Sequence, residues 1–203
     1  GFRWHLQGAS AYYRVEPDLV TFGKGMANGF SVAALGGKRE IMELGGLFSD
    51  KERVFLISTT HGAEMCGLGA FVETLKVYKE LDVINRIWQA GGMLVDGANA
   101  IAKDMGIGNY FEFIGVPCSP NFITKDKTEE ASLEFRTLFV QEMIKQKVLM
   151  PWVAISYSHG DEEINITLEA IKHSLLIYRK ALEDGVDKYL EGRAIKPVFR
   201  KWN

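Results

Sequence analysis

Lys24 has the most chemistry within reach of any residue in the chain. It stands between Gly23 and Gly25, directly after Leu19 to Phe22, a short β-favouring run behind the turn signal Pro17-Asp18. That run predicts a buried strand, and the C-terminal end of such a strand is where ligands bind in open α/β sheets. A lysine amine that is partly desolvated loses its proton and attacks a carbonyl carbon to form a Schiff base. The flanking glycines leave room for a planar ring beside it. The same spacing also fits a solvated lysine in a glycine turn, and spacing alone leaves both readings open. A phosphate loop of the form G-x-x-x-x-G-K-[ST] does not fit, because Asp18 stands at its first glycine and Gly25 at its hydroxyl position.

The cluster Ser58-Thr59-Thr60-His61-Gly62 is the second place where chemistry concentrates. Hydroxyls and backbone N–H groups ahead of a helix starting near Ala63 would hold an anion such as phosphate, since a helix N-terminus carries unpaired donors and partial positive charge. Ordinary N-capping by Ser and Thr explains the same residues. His5, His61, His159 and His173 show no metal-ligand spacing with one another or with a cysteine, so no metal site is expected. His61 is of interest only because it adjoins Thr60. Asp161, Glu162 and Glu163 suit the first turn of a helix better than an acid/base pair. Trp4 and Tyr12 either line a pocket or pack the core, and core packing is the commoner role.

These residues need a scaffold, and the pattern of the chain supplies one. Gly23, Gly25, Gly29, Gly36 and Gly37 break the chain around the apolar stretch Ser31 to Leu35, and Arg39 to Leu44 predicts a short helix. Val54 to Ile57 predicts a second strand running into the hydroxyl cluster. Met65, Leu68, Val72 and Leu75 recur at helical steps, with Gly67 and Gly69 requiring close packing to offset about 1 kcal/mol each. A second helix follows Asp82, with Ile84, Ile87, Leu94, Ala98 and Ile101 on one stripe, and ends at Gly106 and Gly108. Beyond it the pattern becomes α+β. Strands are expected at Tyr110 to Val116 and Asn121 to Thr124, a helix over Ser132 to Lys147, an irregular edge strand around Pro151, and a helix N-capped by Asp161 running to Ala181. A domain boundary is expected near residue 106, between 1–105 and 106–203.

Composition narrows the function classes. The 203 residues are 47% hydrophobic with a formal net charge of −2, an ordinary globular balance without bulk attraction for nucleic acid or anionic membrane. No apolar run approaches the ~20 residues of a membrane span, and no signal peptide opens the chain, so a soluble protein is expected. Two cysteines outside any C-x-x-C pair fit the cytoplasm. The chain opens on Gly1 without an initiator Met, which fits a piece of a longer protein.

The segment Pro17-Asp18-Leu19-Val20-Thr21-Phe22-Gly23-Lys24-Gly25-Met26-Ala27-Asn28-Gly29-Phe30, continued by Ala34-Leu35-Gly36-Gly37-Lys38-Arg39-Glu40-Ile41-Met42, resembles the cofactor-lysine segment of class III pyridoxal phosphate aminotransferases. Gly1-Phe2-Arg3 resembles the stretch just after the aspartate-glutamate pair of that family. Ser58-Thr59-Thr60-His61-Gly62-Ala63-Glu64 resembles its phosphate-binding threonine segment. Ser156 to Ile164 is similar to the C-terminal domain of glutamate-1-semialdehyde aminomutases and lacks an arginine that ornithine-type members carry there, which makes the aminomutase-like branch the nearest. Asn28-Gly29-Phe30 resembles general transaminases of the class, and Ser58 to Glu64 lacks the Ser-Gly-Asn-Pro form of aminomutases.

The resemblance implies a fold: the C-terminal part of the large cofactor-binding domain of a fold-type I α/β enzyme, followed by a small α+β domain. It also implies pyridoxal 5'-phosphate as cofactor, Lys24 as Schiff-base lysine and proton shuttle, and Thr60, with Thr59 and Gly62, as phosphate ligands. In this family the threonine reaches the cofactor of the neighbouring subunit, so a homodimer with shared sites is implied. The implied reaction is amino-group transfer between a small-molecule amino donor and a carbonyl acceptor. Intramolecular transfer by an aminomutase, or a non-catalytic assembly partner, are the alternatives. The aspartate that pairs with the pyridine nitrogen would lie a few residues before Gly1.

Overall fold

The computed structural model describes residues 1–47, 49–52, 62 and 64–196. They divide into two compact units, Gly1–Asn85 and Arg86–Asn203.

In the first unit a short helix, α1 (Ala9–Tyr13), precedes strand β1 (Leu19–Phe22), a 3-10 turn (Lys24–Met26), strand β2 (Ala34–Gly37) and helix α2 (Arg39–Met42), with a further 3-10 turn at Glu43–Gly45. β1 and β2 are antiparallel, with Leu19 opposite Gly37 and Phe22 opposite Ala34. Glycine at residue 37 is required, because a Cβ there would stand 2.5 Å from the Asp18 carbonyl oxygen. β1 is not the buried strand the sequence predicts: Leu19 and Thr21 are exposed, since among the described residues β2 is its sole partner and one face stays open. Two aromatic contacts hold the opening loop. The Phe2 ring packs 5.5 Å from Phe22 and 6.3 Å from Tyr78 on helix α3 (Met65–Glu80). Burial raises the Tyr78 phenol above its usual range, against the opposing pull of Arg3. Trp4 and Tyr12 are not core residues: Trp4 is half-exposed and donates to the Tyr13 hydroxyl at 3.3 Å, and Tyr12 is exposed with its ring edge-on to Tyr13.

α3 follows the predicted periodicity, yet its apolar stripe faces outward, with Met65 80% and Val72 66% exposed. Of its two glycines, Gly67 meets the expectation of close packing, since a Cβ there would stand 2.6 Å from Val32 Cγ2 and 3.2 Å from the Ser31 carbonyl. Gly69 does not, and faces open space.

Helix α4 (Val83–Asp104) opens behind Asp82, and its buried stripe of Ile87, Leu94, Ala98 and Ala102 faces the core of the second unit. Gly91 allows the helix to touch the chain at Pro117, whose oxygen would lie 1.8 Å from an added Cβ. Strands β3 (Phe111–Ile114) and β4 (Asn121–Thr124) form an antiparallel hairpin, with Phe113 opposite Phe122. Asn99 grips its edge as another strand would, donating to the Phe113 carbonyl at 3.0 Å and accepting the Phe113 N–H at 2.7 Å. Helix α5 (Leu133–Lys145) is N-capped by the Ser132 hydroxyl, which accepts the Phe135 N–H. With helix α6 (Asp161–Asp184) it covers an aromatic core of Phe111, Phe113, Phe122, Phe139 and Tyr178. Residues 148–156 form no regular strand; Met150, Val153 and Ile155 bury their side chains from an irregular segment. The N-cap of α6 is Gly160, not Asp161 as predicted, and the Glu163 carboxylate accepts the Gly160 N–H at 2.8 Å. The helix also ends later than expected, at Gly185. No helix among the described residues is long and apolar enough to cross a membrane.

Candidate functional site

Lys24 opens the 3-10 turn that follows β1. Gly23 before it is extended, and its carbonyl accepts the Met26 N–H at 3.1 Å, which folds the chain sharply under the lysine. Met26 and Ala27 are buried and anchor the turn from below. Lys24 itself has φ 50°, a left-handed conformation that is uncommon for a residue with a Cβ and is concentrated at functional positions. Asn28 (φ 46°) and Gly29 (φ 114°) repeat the left-handed geometry four and five residues later. The lysine is exposed, and a Cβ placed on Gly25 would meet no atom within 4 Å.

A second lysine nearby shows what an engaged amine looks like. Lys38 Nζ lies 2.6 Å from Asp18 Oδ1, and the Lys38 N–H donates to the Asp18 carbonyl at 3.0 Å, which clamps the two outer ends of the β1–β2 pair. Among the described residues Lys24 has no such ion pair. The N-terminal turn of α3 lies against Ser31 and Val32, on the loop that leaves the Lys24 turn. Of the sequence-derived phosphate residues, Gly62 is exposed in a turn, and Thr59 and Thr60 lie outside the described residues. The second-strand expectation at Val54 to Ile57 lies outside them as well.

The sequence profile of the family described as aminotransferase class-III matches residues 7–175, a range that includes Lys24 and most of both units. The chain belongs to the class III aminotransferases. Curated relatives agree. A 3-aminobutyryl-CoA aminotransferase of Cloacimonas acidaminovorans is 35% identical over 187 residues, covering 90% of this chain and 43% of the relative. A glutamate-1-semialdehyde 2,1-aminomutase of Alkaliphilus metalliredigens is 30% identical, covering 86% of this chain and 41% of the relative. The class III chain thus spans about two fifths of the length of the curated relatives it matches. Among solved structures, the internal aldimine form of the FumI protein of Sphingopyxis matches with a TM-score of 0.76 at 21% identity, covering 91% of this chain and 42% of that one. An omega-transaminase from Sphaerobacter thermophilus matches with a TM-score of 0.76 at 18% identity, covering 87% and 42%. These likenesses establish the α/β fold of the class III chain.

The remaining polar candidates have structural roles. His159 Nδ1 accepts the Ser156 N–H at 3.1 Å and closes the turn ahead of α6, while His5 Nδ1 accepts the Gln7 N–H. Glu163 is held below the usual carboxylate range by backbone N–H groups of its own residue and of Gly160, helped by His159 and Arg86. No group of three metal-ligating side chains occurs among the described residues. Two features escaped sequence reasoning: the pairing of β2 with β1 and the Asp18–Lys38 clamp. The only available signal was the glycine pair Gly36-Gly37, whose close approach to Asp18 is a tertiary fact.

Proposed function

We propose that this chain carries the cofactor lysine of a pyridoxal phosphate-dependent aminotransferase, and that Lys24 is that lysine. The observation carrying the proposal is the left-handed, glycine-flanked Lys24 at the end of β1, inside a segment that the class III family covers. An exposed primary amine suits an aldehyde-bearing cofactor. When bound, pyridoxal phosphate supplies the electron sink that lets a proton leave the donor carbon.

Lys24 Nζ would hold the cofactor covalently, and with the amino donor bound the same Nζ would be the base that takes the proton from the donor carbon and returns it on the product side. Thr60 and Thr59, with Gly62, would hold the phosphate. The 3-10 turn holds the Lys24 backbone in place, because the neighbouring Met26 and Ala27 are buried. We take 1–105 as part of the cofactor-binding domain and 106–203 as the C-terminal α+β domain, with the enzyme a cytoplasmic homodimer sharing its sites. The outward apolar stripe of α3 supports the dimer, since exposed contiguous apolar surface marks association sites.

Transfer between two molecules is favoured over intramolecular transfer. Both the Asn28-Gly29-Phe30 motif and the relative at 35% identity are of the aminotransferase kind. Glutamate-1-semialdehyde turnover without an external acceptor would reverse that preference.

The test is borohydride reduction of the intact protein followed by peptide mapping. The cofactor label is expected on the peptide containing Lys24, with the yellow colour lost, and Lys24→Ala is expected to abolish both label and transamination. A label on another lysine, or an undiminished rate in Lys24→Ala, removes the assignment. Thr60→Val is expected to weaken cofactor binding by roughly 1.5 to 3 kcal/mol with the chemical step little changed, measured by cofactor titration.

A further inference from the structure

The second unit contains a groove that the proposed reaction does not use. It has a volume of about 340 Å³ and lies between α5 and the segment that returns along it after the 3-10 turn Val186–Lys188. Three side chains spaced four apart on α5 tie that segment down. Gln141 donates to the Tyr189 carbonyl and accepts the Glu191 N–H, both at 2.9 Å; Thr137 Oγ1 accepts the Ile195 N–H at 2.9 Å; and Lys145 pairs with the Glu191 carboxylate at 2.6 Å. Between these ties the walls are aliphatic: Val140, Ile144, Pro151 and Ile195. Ile144 is 52% exposed and Ile195 46%, so apolar surface is left open to solvent along the groove.

The two ends differ in charge. At one end Lys145 faces both Glu142 (2.7 Å) and Glu191, two carboxylates against one ammonium. At the other end the Arg136 guanidinium donates to the carbonyls of Phe122 (3.0 Å) and Pro151 (3.2 Å) and lies 4.1 Å from the centre of the Phe122 ring. These contacts occupy two of its five N–H groups, and no carboxylate among the described residues pairs with it. A half-buried cation at one end, net negative charge at the other, and aliphatic walls over about 13 Å of helix between them define a polarised amphipathic site. The N–H groups of Glu191 and Ile195 are already engaged on α5, so a peptide strand would find little backbone to pair with.

We propose that this groove binds a medium-chain fatty acid, with its carboxylate on Arg136 and its chain along Val140, Ile144 and Ile195 toward Lys145.

The test is calorimetric titration of the intact protein with decanoate, below its micelle concentration, with decanol and acetate as controls. Saturable one-to-one binding of decanoate is expected, tighter than decanol and with no binding of acetate. Arg136→Gln should weaken decanoate about tenfold or more and leave decanol within about twofold, as loss of a charged hydrogen bond dictates. Ile144→Asp should weaken decanoate comparably. That position is on the exposed helix surface, so this variant tests the site even if Arg136→Gln lowers the melting temperature. Equal binding of decanoate and decanol, unchanged decanoate affinity in Ile144→Asp, or no saturable heat would overturn the proposal. So would an affinity that rises when residues 197–203 are removed, which would assign the groove to the chain's own end.

Discussion

Tyr178 joins the hairpin to α6 through its hydroxyl. The oxygen lies 2.6 Å from the Lys125 carbonyl and 3.0 Å from that of Tyr110, and it accepts the Lys125 N–H at 2.9 Å. Burial pushes the phenol well above its usual value of 10. The neutral form is the one the fold accommodates, so its stabilising contribution is complete below pH 10 and is lost as pH rises from there through the raised folded value. Tyr178→Phe should cost roughly 0.5 to 1.5 kcal/mol at neutral pH through loss of the hydroxyl's bonds to the Lys125 and Tyr110 carbonyls, measured by urea unfolding. It should also flatten the loss of stability above about pH 10; an alkaline slope equal to wild type would remove Tyr178 as its source. The sequence places Tyr178 on a helix but does not reveal its partners at Tyr110 and Lys125, which only chain reversal brings near.

Helix α4 depends on two adjacent glycines with opposite requirements. Gly91→Ala would drive a Cβ into the Pro117 carbonyl, and because the obstacle is backbone, the helix must shift; a loss of about 3 kcal/mol or more is expected. Gly92 has nothing within 4 Å of such a Cβ, so Gly92→Ala should stabilise the same helix by roughly 0.5 to 1 kcal/mol. Thermal unfolding of the two variants side by side checks this, and equal shifts would refute the packing argument. Both glycines lie inside one periodic helix pattern, and periodicity alone does not tell them apart.

For the molecule as a whole, the exposed face of α3 carries the strongest expectation. Val72→Asp changes a residue already 66% exposed, so the fold of this chain should be nearly indifferent to it, within about 0.5 kcal/mol. If a second subunit covers the stripe, the intact protein should shift from dimer to monomer in analytical ultracentrifugation and lose bound cofactor. A variant that remains dimeric would place the interface elsewhere. The open face of β1 belongs to the same scale, because strand and helix surfaces left uncovered within this chain are those that further protein can bury.

Periodicity and turn chemistry are local, so they placed α3, α4, α5, β3 and β4 within a few residues, and the long motif around Lys24 identified the family segment. Burial is not local. Whether Leu19 or Met65 faces a core depends on what lies opposite, and no spacing rule encodes that. The clamp of Asp18 on Lys38 and the seating of Arg136 on the Phe122 and Pro151 carbonyls arise because folding brings distant backbone and side chains to within a few ångströms. Residue types fixed what chemistry was available, and packing decided which side chains, such as Lys38 on Asp18, are engaged with one another.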